Sequence, residues 1–250
     1  MNKITFLLLS IFSFQMNAQL ITPDVINTKD GDITIQPITH GTLVFTYNNK
    51  TIYVDPYGGA DKFKGLAKPD FILITDIHQD HLNLETLKGI DTKGAIFIVP
   101  QAVADKLPSE YKKQIEVLNN RQGIHRSGLF ISAVAMYNLP ESEDSRHPKG
   151  RGNGYLIHFD DTKVYVSGDT SAIPEMRQLY NIDIAFVCMN LPYTMDVQEA
   201  SSGVLDFKPT IVYPYHYRGT DGLSDIEKFK TIVNIENSSI DVRLRDWYIK

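Results

Sequence analysis

Apolar positions along this chain fall in short runs separated by turn residues, not in long periodic stretches. β-prone segments occupy residues 33–36, 42–46 and 51–54, and Asn48-Asn49-Lys50 supplies the turn between the last two. Asp55-Pro56-Tyr57-Gly58-Gly59 then breaks the ladder as a loop. Residues 71–75 and 95–99 are continuous apolar runs of strand length and predict buried strands, the second closed by Pro100. A short helix is predicted over 82–87 and another over 102–106, ended by Pro108. From residue 129 the pattern is richer in sheet. Residues 129–136 are followed by a hairpin of 155–159 and 163–167 turning at Asp160-Asp161. Helices are predicted over 174–179, 196–205 and 224–233, with Asp196 and Glu199 at capping-box spacing. Short buried strands at 184–188 and 210–213 lie between them. Each half mixes strands with covering helices, which predicts two sheets packed face to face with helices outside. No linker and no internal repeat divides the chain.

The N-terminus has a different pattern. Lys3 precedes an apolar run over residues 4–14, and a polar turn ends near Ala18. This is the order of an export signal, although Met16 matches the small-residue cleavage rule poorly. Residues 1–18 are read as a cleaved signal and 19–250 as one domain. The run is short for a bilayer span, and no later stretch is long and apolar enough for one. The 250 residues carry a formal charge of −5, which gives no basic footprint for nucleic acid. Loss of Lys3 with the signal would leave about −6. The single cysteine, Cys188, excludes an intramolecular disulfide and sits in an apolar run as a small hydrophobe. Export without disulfides suits a periplasm or an outer surface.

The chemistry gathers where apolar strands end. Directly after residues 71–74, Asp76-Ile77-His78-Gln79-Asp80-His81 places four metal-competent side chains in six residues. His147 lies in a Pro/Gly-rich loop, Asp169 ends the second hairpin strand within Gly168-Asp169-Thr170, and His216 follows the run Ile211-Val212-Tyr213. Three carboxylates and four imidazoles can therefore meet on one rim of the sheets, a donor set that suits zinc, manganese or iron. Simpler roles exist for each. Asp76 or Asp80 could cap the following helix, Asp169 could close a Gly-Asp turn, and His216 could hydrogen-bond a buried backbone group. His125 and His158 read as structural or exposed, and Gly150-x-Gly152-x-Gly154 reads as flexibility beside His147 rather than a nucleotide loop.

The segment Asp76 to His81 resembles the His-x-His-x-Asp-His signature of the metallo-β-lactamase superfamily, with aspartate in the first position. His147, Gly168-Asp169-Thr170 and His216 match its remaining ligand stations in order, and the similarity runs from about His40 to the C-terminus. The branch it resembles most contains the ascorbate-phosphate lactonase-like hydrolases. The resemblance implies a four-layer αββα sandwich, of class α/β, in which Asp76, His78 and His147 hold one divalent ion. Asp80, His81 and His216 would hold a second, with Asp169 bridging. Two transition-metal ions are expected, zinc or manganese first and iron also compatible, because Asp76 adds oxygen character to the first site. Asp80, Asp169 and His40 are the expected catalytic groups. Asn190, Tyr193, Tyr215, Tyr217 and Arg218 are candidates for substrate contact, with packing or turn closure as their alternative roles. The expected activity is water attack on a small lactone or carboxylic ester. Phosphodiester hydrolysis and a non-catalytic metal-binding or ligand-sensing role are the alternatives.

Overall fold

The structure, a computed structural model, describes residues 20–220 and 222–248. The expected signal over residues 1–18 lies outside them. The first sheet runs in sequence order through β1 (Asp24–Thr28), β2 (Gly31–Thr39), β3 (Thr42–Tyr47), β4 (Lys50–Val54), β5 (Phe71–Leu73), β6 (Ile96–Val99) and β7 (Ile115–Val117). Its first three pairings are antiparallel and the next three parallel. Helices α1 (Leu84–Gly89) and α2 (Gln101–Ala104) follow β5 and β6.

The second half supplies β8 (Gly123–Arg126), β9 (Leu129–Met136), β10 (Gly152–Phe159), β11 (Thr162–Val166), β12 (Ile184–Cys188) and β13 (Ile211–Tyr215). A short ribbon of β14 (Arg218–Gly219) and β15 (Gly222–Leu223) precedes β16 (Asp241–Val242). The second sheet has the order β16-β13-β12-β11-β10-β9-β8, again three antiparallel pairings and then three parallel ones. Helices α3 (Pro174–Arg177), α4 (Val197–Phe207) and α5 (Ile226–Glu236) flank it, which completes the expected αββα arrangement.

The two faces of the first sheet are sorted by the two-residue period of a strand. Leu43, Phe45, Ile52, Val54, Phe71, Leu73 and Ile98 join the core shared with the second sheet. Their neighbours Val44, Tyr53, Ile72, Ile74, Phe97 and Val99 pack on the other face with Phe63, Leu87, Val103 and Tyr111. Burial on both faces is why these strands read as continuous apolar runs.

Apart from the short β14–β15 ribbon, the strands that the apolar pattern does not predict are β1, β7, β8 and β16, the edges of the two large sheets. β1, β7 and β8 hold no fully buried residue and β16 is only two residues long, and so they carry too little apolar signal. The predicted helices at 102–106 and 174–179 are single turns, α2 and α3. Asp196 caps α4 by accepting from the Glu199 N–H, but the Glu199 carboxylate accepts from the Ala172 N–H, so the capping box is only half made. Of the glycines after His147, Gly150 stands in open space at φ 85°, whereas Gly152 and Gly154 serve close packing. A Cβ on Gly152 would lie 2.8 Å from the Thr75 carbonyl oxygen, and one on Gly154 2.8 Å from that of Ser167. Among the described residues no helix is long and apolar enough to cross a membrane.

Candidate metal centre

β5 delivers the ligand-rich loop and a carboxylate behind it holds its shape. Asp55, at the end of β4, is fully buried in the left-handed region at φ 45°. It accepts from the Thr75 N–H at 2.7 Å, from the Thr75 hydroxyl at 2.6 Å and from His81 Nδ1 at 2.8 Å. A carboxylate on one imidazole nitrogen leaves the other, His81 Nε2, free to act as a ligand. The loop then turns tightly, with the His81 and Leu82 N–H groups donating to the His78 carbonyl. Asn83, not Asp76 or Asp80, caps α1 by accepting from the Thr86 N–H.

The second half contributes from three separate connections. After β9, Asn138 Oδ1 accepts from the His147 N–H at 2.9 Å and lies 3.0 Å from His147 Nδ1, which turns Nε2 inward. After β11, Gly168 (φ 61°) donates its N–H to the Tyr215 hydroxyl and brings Asp169 into the site. After β13, His216 adopts φ 47° and donates its N–H to the His40 carbonyl. Gly41 is needed there, because a Cβ would stand 2.8 Å from His216 Cδ2.

These connections converge. Ligand atoms of Asp76, His78 and His147 lie within 4.8 Å of one another, as do those of His81, Asp169 and His216, and those of His40, Asp80 and His216. Asp169 is central. Its Oδ2 is 3.4 Å from His81 Nε2 and 3.3 Å from His147 Nε2, and its Oδ1 is 3.3 Å from His216 Nε2. His216 Nε2 is also 3.4 Å from Asp80 Oδ2. His81, His147, Asp169 and His216 are all buried, yet His81 Nε2, His147 Nε2, Asp169 Oδ1 and both ring nitrogens of His216 have no hydrogen-bond partner among the described residues. Buried polar atoms without partners are costly, and the convergence of His81 Nε2, His147 Nε2 and His216 Nε2 on Asp169 fits a cation that ligates them. With imidazole and carboxylate donors and no thiolate, the set suits a borderline divalent transition ion. His78 and Asp80, with side chains 22 and 30 % exposed, form the side open to solvent.

The electrostatics agree with a strongly anionic centre. Burial alone would raise the Asp76 carboxyl, but hydrogen bonds from His78 and Arg151 outweigh it and hold the group down at about 2. Asp80 and Asp169 resist the same effect of burial through the imidazoles around them, and both are held below the usual carboxylate range. Burial opposes a charged His81, yet Asp80, Asp55 and Asp169 together raise it well above its ordinary value. His40 is lowered, chiefly by burial. Its Nε2 is 3.2 Å from Asp80 Oδ2 and its Nδ1 2.8 Å from the Tyr248 hydroxyl.

The remaining candidates divide. Tyr215 is buried, and its hydroxyl accepts from Gly168. Tyr217 is buried too and donates to the Arg245 carbonyl. Asn190 accepts from the Thr194 hydroxyl and closes a turn. Hydroxyls and an amide used in this way support the scaffold. Tyr193 is half-buried beneath the Arg146 guanidinium, and Arg218 is exposed over the Tyr248 ring. His158 packs against Phe130 on the hairpin, away from the centre, and Cys188 is buried with its thiol pushed up to about 12 by burial. The sequence pattern does not single out Asp55, Asn138, Arg151 or Tyr248. Asp55 alone carries a readable signal, a carboxylate ending an apolar strand as Asp76 and Asp169 do.

Comparison with known proteins agrees with this geometry. The profile of the Beta-lactamase superfamily domain matches residues 34–216. A UPF0173 metal-dependent hydrolase of Pyrococcus horikoshii is 30 % identical over 196 residues, covering 74 % of this chain and 85 % of its own length. A crystal structure of a Parabacteroides distasonis protein classed as a metal-dependent hydrolase superposes with a TM-score of 0.80 at 37 % identity, covering 90 % of this chain and 99 % of that one. The metallo hydrolase Igni18 of Ignicoccus hospitalis shares the fold, with a TM-score of 0.72 at 23 % identity over 86 % of this chain and 95 % of its own.

Proposed function

The chain belongs to the β-lactamase superfamily, and on that footing we propose that it hydrolyses a small lactone or carboxylic ester by water attack at a two-ion centre. The observation that carries the reading is the convergence of buried, partnerless ligand atoms from His81, His147, Asp169 and His216. Asp76, His78 and His147 would hold one ion, and Asp80, His81 and His216 the other, with Asp169 between them. Zinc or manganese suits these donors, and iron is compatible. Divalent ions so placed lower the pKa of a coordinated water toward neutrality and polarise the ester carbonyl.

The chain's own residues do the rest. Asp55 and Asn138 fix the orientation and tautomer of His81 and His147. Asp80 stays ionised on the solvent-facing side, where it accepts a hydrogen bond from the attacking water. An ionised Asp80 assigns the His40 proton to Nε2, and the Tyr248 hydroxyl then donates to Nδ1. His40 thus stays neutral and positions Asp80, which would take the proton the water loses and pass it to the departing alkoxide. The choice of lactone or ester over phosphorus is supported by the resemblance of the ligand stations to the lactonase-like branch. Phosphodiester hydrolysis is the second reading, favoured by the exposed Arg218 stacked on Tyr248, the residue that holds His40.

Export through residues 1–18 is part of the proposal, supported by the apolar run and the lone cysteine. Mass measurement of the mature N-terminus tests it, and an intact Met1 on the exported protein would overturn it. The activity is tested by elemental mass spectrometry of protein purified without chelator, followed by assays on lactones, aryl esters and phosphodiesters. Close to two ions per chain and ester turnover are expected. Turnover confined to phosphodiesters would replace the substrate class. A chain that takes up no ion after reconstitution with zinc, manganese or iron would sink the hydrolase reading.

A further inference from the structure

One of the ligand groups already faces a cation. Arg151, in the connection leading into β10, donates from Nε to Asp76 Oδ1 at 2.9 Å and from Nη2 to Asp76 Oδ2 at 2.7 Å. The same Nη2 lies 3.4 Å from His78 Nε2 and donates to the Arg146 carbonyl at 2.6 Å. Asp76 is fully buried and the Arg151 side chain half-buried, and a two-pronged guanidinium–carboxylate contact in such surroundings is the strong form of an ion pair. A residue that only orients a ligand carboxylate holds it from behind. Arg151 instead takes both oxygens, including Oδ2, which is 2.9 Å from His78 Nδ1 and 4.0 Å from His147 Nε2. The guanidinium therefore engages the carboxylate oxygen that faces the other two members of the group.

The other groups differ. Among the described residues Asp80 and Asp169 have only imidazoles as ionic partners. Asp76 is already neutralised by Arg151, so a divalent ion arriving there meets no net negative charge from the pair. An ion at His81, Asp169 and His216 meets Asp169 with Asp80 beside it, and their partners are imidazoles, which give up a proton on ligation as a guanidinium cannot. Charges a few ångströms apart in a buried site interact strongly enough for this difference to set the order of filling.

We propose that Arg151 is a resident counter-cation of the Asp76–His78–His147 group, so that the two ion positions fill in sequence. The His81–Asp169–His216 group fills first and tightly. The Asp76 group fills second, and only as the guanidinium gives up Asp76. This rests on the metal-hydrolase reading of the site and adds an internal competitor to it, so that at limiting metal the chain carries one ion.

The test is calorimetric titration of metal-stripped protein with Zn²⁺, with elemental analysis of the occupied forms. Wild type is compared with R151M, R151Q and R151K, and thermal melting confirms that each variant folds. Wild type should show two binding events at least about tenfold apart in Kd, and D76N should remove only the weaker one. R151M and R151Q should tighten the weaker event by about tenfold or more and leave the stronger within about threefold. R151K keeps the charge and should stay near wild type. If both neutral variants leave the weaker event unchanged or weaken it, Arg151 orients Asp76 and the inference is overturned while the metal-hydrolase reading stands. A wild-type chain that binds no Zn²⁺ overturns both.

Discussion

Residues 24–117 and 123–242 build sheets with the same pairing sequence, and each half ends its fourth strand with a buried aspartate. Asp55 follows β4 and Asp169 follows β11, each where antiparallel pairing gives way to parallel. The two carboxylates bracket one imidazole, with Asp55 2.8 Å from His81 Nδ1 and Asp169 3.4 Å from His81 Nε2. Their surroundings then separate them. Asp55 accepts two further hydrogen bonds from Thr75, so its oxygens are used within the scaffold. Asp169 faces three imidazoles and keeps Oδ1 without a hydrogen bond. Equivalent places in the topology thus yield a positioning carboxylate in one half and a candidate ligand in the other, and the neighbours decide which.

The sharpest way to break this comparison is to exchange charge for amide on both sides of His81. Asp169→Asn should lower ion affinity by more than about 100-fold, beyond the range found for residues that act only through a ligand. A calorimetric loss smaller than tenfold would place Asp169 with Asp55 instead. Asp55→Asn should cost about 10- to 100-fold in ion affinity while the ion count per chain is retained. Disappearance of a whole binding event in that variant would make Asp55 a ligand.

The halves are also tied together beneath the site. The Tyr155 hydroxyl in β10 donates toward the Ile74 and Ile98 carbonyls of the first half, at 2.8 and 2.9 Å. Tyr155→Phe removes the donor to the buried Ile74 carbonyl, while that of Ile98 keeps the Ile74 N–H, and should cost about 1–3 kcal/mol in denaturant unfolding. A change below half of that would show the sheets held by apolar packing alone at this point. Asp196→Ala removes a cap on the outer α4 helix and should cost about 1 kcal/mol. Ion affinity should not change, and any loss there would link α4 to the centre. The smallest expected effect is at Cys188. Burial raises its thiol to about 12, so at pH 8 it remains protonated and native protein should resist alkylation until it unfolds. Rapid labelling of the native chain would show that the end of β12 opens.

Legibility in the sequence followed the same division. The first half places its ligands in one connection, so Asp76, His78, Asp80 and His81 stand out as a cluster within six residues. The second half scatters His147, Asp169 and His216 over three connections, where each alone has an ordinary loop or turn reading. Their recurrence where apolar strands end, and their order matched to a family pattern, suggested that they meet. The central strands were legible because burial on both faces makes them continuously apolar, whereas the four edge strands were not, because their pairing rests on backbone groups. Tyr215 and Tyr217 show the limit of residue type as a guide. Adjacent to His216 in sequence, they turn their hydroxyls to Gly168 and Arg245.

By itself the sequence determined the strand-rich halves, the positions where strands end in carboxylates and imidazoles, and the donor chemistry offered to an ion. These are local properties, set by side-chain period and by the chemistry of each group. Only the tertiary structure decided which ligand atoms lack partners, that Asp55 stands behind His81 and that Arg151 occupies Asp76. Such facts depend on which atoms face one another across loops far apart in the chain, and a left-handed turn such as that at His216 aims a side chain that apolar spacing cannot.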